Sequence, residues 1–335
     1  MARDHSVRVA VIGAGSQGIA QCRGLASIPG VEIAGIADLN PDRLQLAGKA
    51  LQLSPKVCFT DAEEMLRGAA PLDLVSIATT APTHVLLGSL ALGAGARCIL
   101  LEKPMDVSLA AARAFTRQCE SAGVRLAINY SRRWLVDHRA VRRALAAGLI
   151  GTPRSLAITI GKGELAMHAS HYFDLSRFLL DSEPAWVQAH LEPIAEENIR
   201  GAQYTDPSGH CTIGFQNGAR AFIDFSSDLV NKDPFITVKG TQGQITIDEQ
   251  RLFWTMQSRS QRTWTFPFAE DLRSATTFPR VAAELLSGER PACTGHDGAV
   301  ALEMILGAHL SDRHQSQVVR FPLSDEDADL GIVFP

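Results

Sequence analysis

VRVAVIGAGSQG, residues 7–18, decides the fold. Val7, Val9 and Val11 alternate with Arg8 and Ala10, and Ile12 runs directly into Gly13. A β-branched run of this kind predicts a strand buried in a parallel sheet, where both faces are covered. The glycines follow as Gly13-x-Gly15-x-x-Gly18. The first permits a tight turn, the second lets backbone approach a pyrophosphate, and the third lets the next helix pack on the strand. That helix, from Gln17 to about Ser27, aims its first N–H groups at the phosphates, with Ser16 and Gln17 at its entrance. A second strand, Glu32–Ala37, ends at Asp38, twenty residues after Gly18. An acid there accepts bonds from the adenosine ribose hydroxyls and repels a 2′-phosphate. The glycine spacing alone is weak; strand, helix and acid in register give it weight against a turn that binds nothing.

Outward from this stretch, strand and helix alternate. Asn40-Pro41 opens a helix over Asp42–Leu51, Val57–Phe59 is a short strand, and Asp61 caps a helix through Arg67. Strands Leu72–Ala78, Arg97–Leu101 and Val124–Asn129 enclose helices His84–Leu92 and Leu109–Ala122. The pattern predicts an α/β chain whose N-terminal half, residues 1–128, is a doubly wound parallel sheet of Rossmann type. Ligands of such sheets bind beyond the carboxyl ends of the strands. Gly13–Gly18, Asp38, Thr79-Thr80, Glu102–Pro104 and Asn129–Arg133 all fall there.

After Asn129 the pattern changes. A helix over Trp134–Ala147 is followed by period-two strands: Cys211, Ile213 and Phe215; Ala221, Ile223 and Phe225; Ile245 and Ile247. Residues 129–335 therefore form a second α/β domain with a mostly antiparallel, open-faced sheet and helices near Met167–Leu180, Phe278–Leu286 and Asp297–Leu310. Apolar residues on both strand faces, such as Phe222 beside Ile223, predict burial of the open face against a second subunit, in a homo-oligomer of two or four chains. Glu196–Gly209 lacks periodicity and reads as a loop; Ser324–Pro335 has no assigned place.

The chain has 335 residues, enough for two cores. Composition is that of an ordinary globular protein, 46% hydrophobic and 20% charged, with net charge −4 and no basic run. Nucleic-acid and membrane partners find no support in it. Six cysteines without paired spacing fit buried thiols in a reducing, cytoplasmic compartment.

Lys103, at the end of the fifth strand, is the first candidate for chemistry. A lysine there donates to a substrate hydroxyl and stabilises the alkoxide that forms as hydride leaves; a solvated strand-end lysine is the plain alternative. In GELAMHASHYFDLSRFLL, residues 163–180, His168, His171 and Asp174 recur every three residues and on one helix share a face. One histidine there is a candidate general base, with a satisfied interior histidine as the alternative. Three-residue steps are not the spacing of helical zinc sites, so no metal is expected. Thr79, Thr80, Pro82 and His84 are candidates for cofactor contact, and Tyr130, Arg132 and Arg133 for substrate contact.

VIGAGSQG, IADLNP, SIATTAPTH, LEKP, INYSRRW, GLIGTPRS and SHYFDLSRFLL, in this order, resemble the glucose–fructose oxidoreductase, inositol dehydrogenase and rhizopine-catabolism (Gfo/Idh/MocA) family over nearly the whole length. The resemblance implies a Rossmann domain, an open-faced second domain, a pyridine nucleotide, and hydride transfer at a hydroxyl or carbonyl of a sugar, cyclitol or related polyol. It implies that Lys103 and His171 act on the substrate hydroxyl. Glu102 and Lys103, at the end of the fifth strand, are also candidates for cofactor contact. Many members carry an aspartate four residues before the histidine; here the position is Met167. Asp38 points to NAD rather than NADP, with Arg43 leaving some tolerance for the latter. Two alternatives stay open: a glycosidase that retains NAD and oxidises transiently, and a sensor without chemistry.

Overall fold

The computed structural model describes residues 6–161, 163–194, 198, 200–229, 234–270 and 274–335. The chain divides into two compact units, one of residues 1–131 with 273–299, the other of 132–272 with 300–335. This replaces a single cut between 128 and 129, because the chain returns late to the first unit.

In the first unit, β1 (Val7–Ile12), β2 (Val31–Ala37), β3 (Cys58–Phe59), β4 (Leu74–Ile77), β5 (Cys98–Leu101) and β6 (Arg125–Ile128) form an all-parallel sheet in the order β3-β2-β1-β4-β5-β6. Helices α1 (Ser16–Ala26), α2 (Pro41–Leu51), α3 (Ala62–Ala69), α4 (His84–Gly93) and α5 (Leu109–Ser121) connect the strands. Strand order reverses between β1 and β4, the place where doubly wound sheets open a crevice. Val9, Val11, Val75, Ile77, Ile99 and Leu101 are buried, as a sheet covered on both faces requires. Local sequence starts the helices: Asn40 Oδ1 accepts from Asp42 N (2.9 Å) ahead of Pro41–Leu51, and Asp61 Oδ1 from Glu64 N (2.7 Å).

The second unit begins with a 3-10 turn, Ser131–Trp134, and α6 (Val136–Ala146), where one helix was expected. Two arginines at a helix N-terminus oppose its dipole, and the break at Leu135 frees both for acids elsewhere. Next come β7 (Pro153–Thr159), a π-helical turn Leu165–Ala169, α7 (Ser170–Leu180), β8 (Pro184–Leu191), β9 (Gly209–Phe215), β10 (Arg220–Phe225), β11 (Phe235–Gly240), β12 (Gly243–Asp248), β13 (Phe253–Ser258) and β14 (Thr263–Pro267). With β15 (Val319–Arg320) they order as β14-β13-β12-β11-β7-β10-β9-β8-β15, antiparallel except for β7 with β10. Cys211, Ile213, Phe215, Ile223, Phe225, Ile245 and Ile247 are buried on one face, as the alternation predicts. The other face is less apolar than expected. Register aligns Thr212, Phe222, Ala157, Thr237, Thr246, Thr255 and Thr265 across it, and the large apolar side chains exposed there are Phe222 and Phe235.

The chain then re-enters the first unit as α8 (Ser274–Ser287), whose Phe278, Val281 and Leu285 are buried. A Cβ on Gly24 of α1 would meet Phe278 Cβ at 2.8 Å, so a glycine lets the two helices approach. Cys293 O accepts from Ile128 N (3.1 Å) and Thr294 bridges Ala127, which pairs the edge of β6. The first turn of α9 (Gly295–Arg313) belongs to this unit and the rest to the second. The acidic tail carries α10 (Asp325–Ala328), and beyond it Phe334 is fully buried while Val333 O accepts from Thr205 N (2.7 Å). All six cysteines are free, and all but Cys58 are buried. Among the described residues no helix is long and apolar enough to cross a membrane. Of the expected loop, Glu196, Glu197 and Ile199 lie outside the described residues.

Candidate active site

The turn after β1 is held open by backbone geometry. Gly13 has φ +104, and a Cβ on it would lie 2.6 Å from Ala78 O. A Cβ on Gly18 would lie 1.8 Å from Gly13 O, so α1 packs against the turn as the third glycine permits. Gly15 differs: nothing stands within 4 Å of its Cβ position, and as N-cap of α1 it offers no side-chain cap. The leading N–H groups of α1 thus face an open cradle flanked by exposed Ser16 and Gln17, which fits a pyrophosphate. Asp38 Oδ2 accepts from Ala14 N (2.7 Å) and Oδ1 from Asn40 N (2.9 Å). The carboxylate is half-buried and retains acceptor capacity for ribose hydroxyls.

Beyond β4, Thr79, Thr80 and Pro82 are half-buried, and Thr83 Oγ1 donates to Thr80 O (2.9 Å). His84 is fully buried beneath them. Its Nδ1 lies 2.8 Å from Pro104 O and its Nε2 3.2 Å from Thr79 O. Burial brings its pKa down to about 4, so at neutral pH it holds one proton, which the shorter distance assigns to Nδ1. His84 therefore ties the turn after β4 to the turn after β5. Lys103 is half-buried, and the Lys103–Pro104 peptide bond is cis. Glu102 is buried, its carboxylate taken up by Gln21, Asn129 and the Lys103 backbone.

In the second unit Arg132 pairs with Glu249 (Nη2–Oε2, 3.0 Å), donates to the Tyr172 hydroxyl and stacks on its ring. His138 Nε2 also meets Glu249, at 3.0 Å. Burial works against the Glu249 carboxylate, but the Arg132 guanidinium and His138 bring its pKa down to about 2. Arg133 binds Asp174 through two 2.8 Å bonds, and both are buried. Tyr130 is fully buried. Of the three residues proposed for substrate contact, Tyr130 is enclosed, Arg132 is held by Glu249 and Tyr172, and Arg133 by Asp174.

The π-helical turn also overturns the shared face of His168, His171 and Asp174. Ala169 N and His168 N both reach Glu164 O (2.9 Å), and the wider turn shifts the phase of the helix after it. His168 is exposed and pairs with Glu164 (2.6 Å), His171 is half-buried, and Asp174 is buried on Arg133. Around Met167 the acid comes from another part of the chain: Asp206 accepts from Ala166 N (2.6 Å) and Met167 N (3.0 Å). Gln21, Ser76, His138, Asp206 and Glu249 were not singled out by sequence. For Ser76 the signal was a lone polar residue in an apolar strand, which must find a buried partner. Among the described residues no three His, Cys, Asp or Glu side chains are grouped to hold a metal.

Residues 7–130 match the oxidoreductase family with NAD-binding Rossmann fold, and residues 138–246 match the GFO/IDH/MocA C-terminal domain. Together these span well over half of the sequence, and the chain belongs to the Gfo/Idh/MocA family of oxidoreductases. It is 42% identical over 205 residues to a D-apiose dehydrogenase of Paraburkholderia graminis, covering 56% of this chain and 54% of that enzyme. It is 26% identical to a myo-inositol 2-dehydrogenase of Thermotoga maritima, covering 88% of this chain and 93% of the other. The fold matches an Agrobacterium radiobacter oxidoreductase solved with NAD+, L-tartaric acid and magnesium, with TM-score 0.82, 23% identity, and coverage of 94% and 98%.

Proposed function

We propose that this chain is an NAD-dependent dehydrogenase that moves a hydride between a nicotinamide and a hydroxyl or carbonyl carbon of a sugar, cyclitol or sugar derivative. The supporting observation is the open cradle at Gly15, bounded by the Asp38 carboxylate, at the crevice-forming end of a parallel sheet that also carries Lys103. Gly13, Gly15, Ser16, Gln17 and Gly18 would hold the pyrophosphate, Asp38 the ribose, and Thr79, Thr80 and Pro82 the adjoining part of the dinucleotide. Bound there, the nicotinamide supplies the hydride acceptor. Lys103 donates to the substrate oxygen and stabilises the charge that grows on it, while His171 takes up the hydroxyl proton.

The test is a panel of sugars, sugar acids, cyclitols and sugar nucleotides, begun with D-apiose and the inositols because relatives carry those names. A rise in reduced-nicotinamide absorbance with one of them is expected. Lys103→Met and His171→Ala should each lower turnover about 10²–10⁴-fold while NAD+ affinity is kept. Loss of NAD+ binding in the native protein would overturn the reading, and wild-type rates in both variants would remove the assigned roles. We further infer a homo-oligomer in which a second copy covers the open sheet face, supported by the exposed Phe222 and Phe235, and a cytoplasmic location, supported by six free thiols.

A further inference from the structure

Two histidines stand side by side on the open face of the second unit's sheet, where the chain leaves β8 and returns in β9. His190 and His210 are cross-strand partners in the antiparallel β8–β9 register, and the next pair, Leu191 with Gly209, closes the neck of the intervening loop. Gly209 has φ +150, and a Cβ on it would lie 2.3 Å from His190 O, so a glycine lets the strands close there. Glu192 N–H then donates to Ser208 O (2.9 Å). Both histidines are exposed, His190 over 61% of its side chain.

The ring geometry carries the argument. The centroids are 5.5 Å apart, with the planes inclined at 41°. Imidazole nitrogens bind zinc at about 2.0–2.1 Å, which puts each ring centre about 3.2 Å from the ion and two rings on a tetrahedral ion about 5.2 Å apart. The observed pair is therefore spaced for one shared ion without movement of the strands. Behind His190 stands a fixed carboxylate: Asp312 Oδ1 lies 4.0 Å from Nδ1 and accepts from Leu191 N (2.8 Å). Ligating histidines commonly turn their second nitrogen to such a group, which orients the ring. With Nδ1–H toward Asp312, the Nε2 lone pair is left for an ion. Asp224, opposite His210 on β10, is engaged through Oδ1 by Ser226 N (3.2 Å) and Oγ (2.6 Å). Among the described residues no three His, Cys, Asp or Glu side chains are grouped to hold a metal, so water would fill the other positions. Such a site exchanges its ion, unlike the closed four-ligand site of a structural zinc.

We propose that His190 and His210, oriented by Asp312, form a site for an imidazole-preferring divalent ion (zinc, copper or nickel) that clamps the neck of the loop between β8 and β9. The end of that loop holds the turn before α7: Asp206 accepts from Ala166 N and Met167 N, and Pro207 O from Leu165 N (2.9 Å). An ion at the neck thus steadies a segment tied to the approach to His171. The site stands independently of the function proposed above.

The test is calorimetric titration of the full chain with zinc chloride, repeated in C58S because Cys58 is the one thiol that is not buried. One ion per chain is expected in both. His190→Gln and His210→Gln should each abolish that binding, and Asp312→Asn should weaken it about tenfold. His168→Gln, which alters the exposed pair with Glu164, should bind as the native protein does. Copper should bind more tightly than zinc and magnesium not at all. Amide exchange at Glu192 should slow when zinc is added to the native protein and not in H190Q. Absence of zinc binding in the native protein would leave the rings as a packing contact and overturn the proposal. Binding that survives in both histidine variants, or is lost in H168Q or C58S, would place the ion elsewhere and overturn it too. One ion per two chains would overturn the clamp within a chain, and unchanged affinity in D312N the orienting role of Asp312.

Discussion

The rim of the parallel sheet and the start of α7 both concentrate polar groups, but they are built differently. The rim is built around backbone: Gly13 and Gly18 without Cβ clearance, open space at Gly15, uncapped N–H groups, and Asp38 bonded to the Ala14 and Asn40 N–H groups. The α7 region is made of side chains drawn from distant sequence. Arg132 and Glu249 are 117 residues apart, Arg133 and Asp174 41. In the first region donors stay open and can take a ligand. In the second the charges cancel in pairs and the same residue types hold the fold together. Arginine beside a candidate catalytic helix is therefore no sign of an anion site until its acids have been found.

The strongest way to break this comparison is at Arg133. Removing one partner of a buried ion pair leaves an uncompensated charge, at a cost of about 3–5 kcal/mol. Arg133→Met should lower the denaturation midpoint of the native protein accordingly, and R133M/D174L should recover most of it, because the uncompensated carboxylate goes with its partner. Wild-type stability with a large rise in substrate KM would restore Arg133 as a substrate residue.

The same contrast explains how much was legible. The stretch from Val7 to Asp38 could be read because every feature there depends on neighbours in sequence: a β-branched run, glycines at fixed spacing, an acid at the next strand end. Strand alternation in β9 and β10 was legible for the same reason. The return of α8 to the first unit was not, since it rests on Phe278 fitting over Gly24 some 250 residues earlier in the chain. Nor was the π-helical turn, whose wider hydrogen bonding leaves no mark in a three-residue repeat of His168, His171 and Asp174. The roles expected for Arg132, Arg133, Glu102 and His84 came from their places at strand and helix ends. What decides those roles is the partner on the other side of each bond.

Acid should separate the two kinds of buried group. His84 holds a folded pKa of about 4 against about 6.5 when unfolded, and His309 in the second unit is lowered to about 4 by burial as well. Below about pH 6.5 the unfolded chain takes up protons that these rings refuse, so stability falls as pH drops from there to about 4 and then levels off with respect to them. The size is about 3 kcal/mol for each histidine. Glu249, with a folded pKa of about 2, keeps its contribution above the ordinary carboxylate range and loses it only as pH falls toward 2. Urea melts of His84→Asn should show a shallower decline between pH 6.5 and 4.5 than the wild-type protein, and an unchanged slope would mean that the ring is charged in the fold.

The smallest effect, and the one that sharpens the reading of the rim, is at Asp38. Its carboxylate does two things: it fixes the turn by accepting from Ala14 N and Asn40 N, and its charge stands where a 2′-phosphate would lie. Asp38→Ser keeps a short oxygen for one backbone bond and removes the charge. NAD+ should then bind about tenfold more weakly, since a charge-assisted bond is worth about 1.5–3 kcal/mol and the serine replaces part of it. NADP+ should gain relative to NAD+, because the repulsion is gone and Arg43, in the first turn of α2, is near in sequence to meet the phosphate. Calorimetric titration with both dinucleotides gives the ratio directly. A ratio that stayed at the wild-type value would show that backbone shape alone selects the dinucleotide, and that the acid at the strand end serves only to hold the turn.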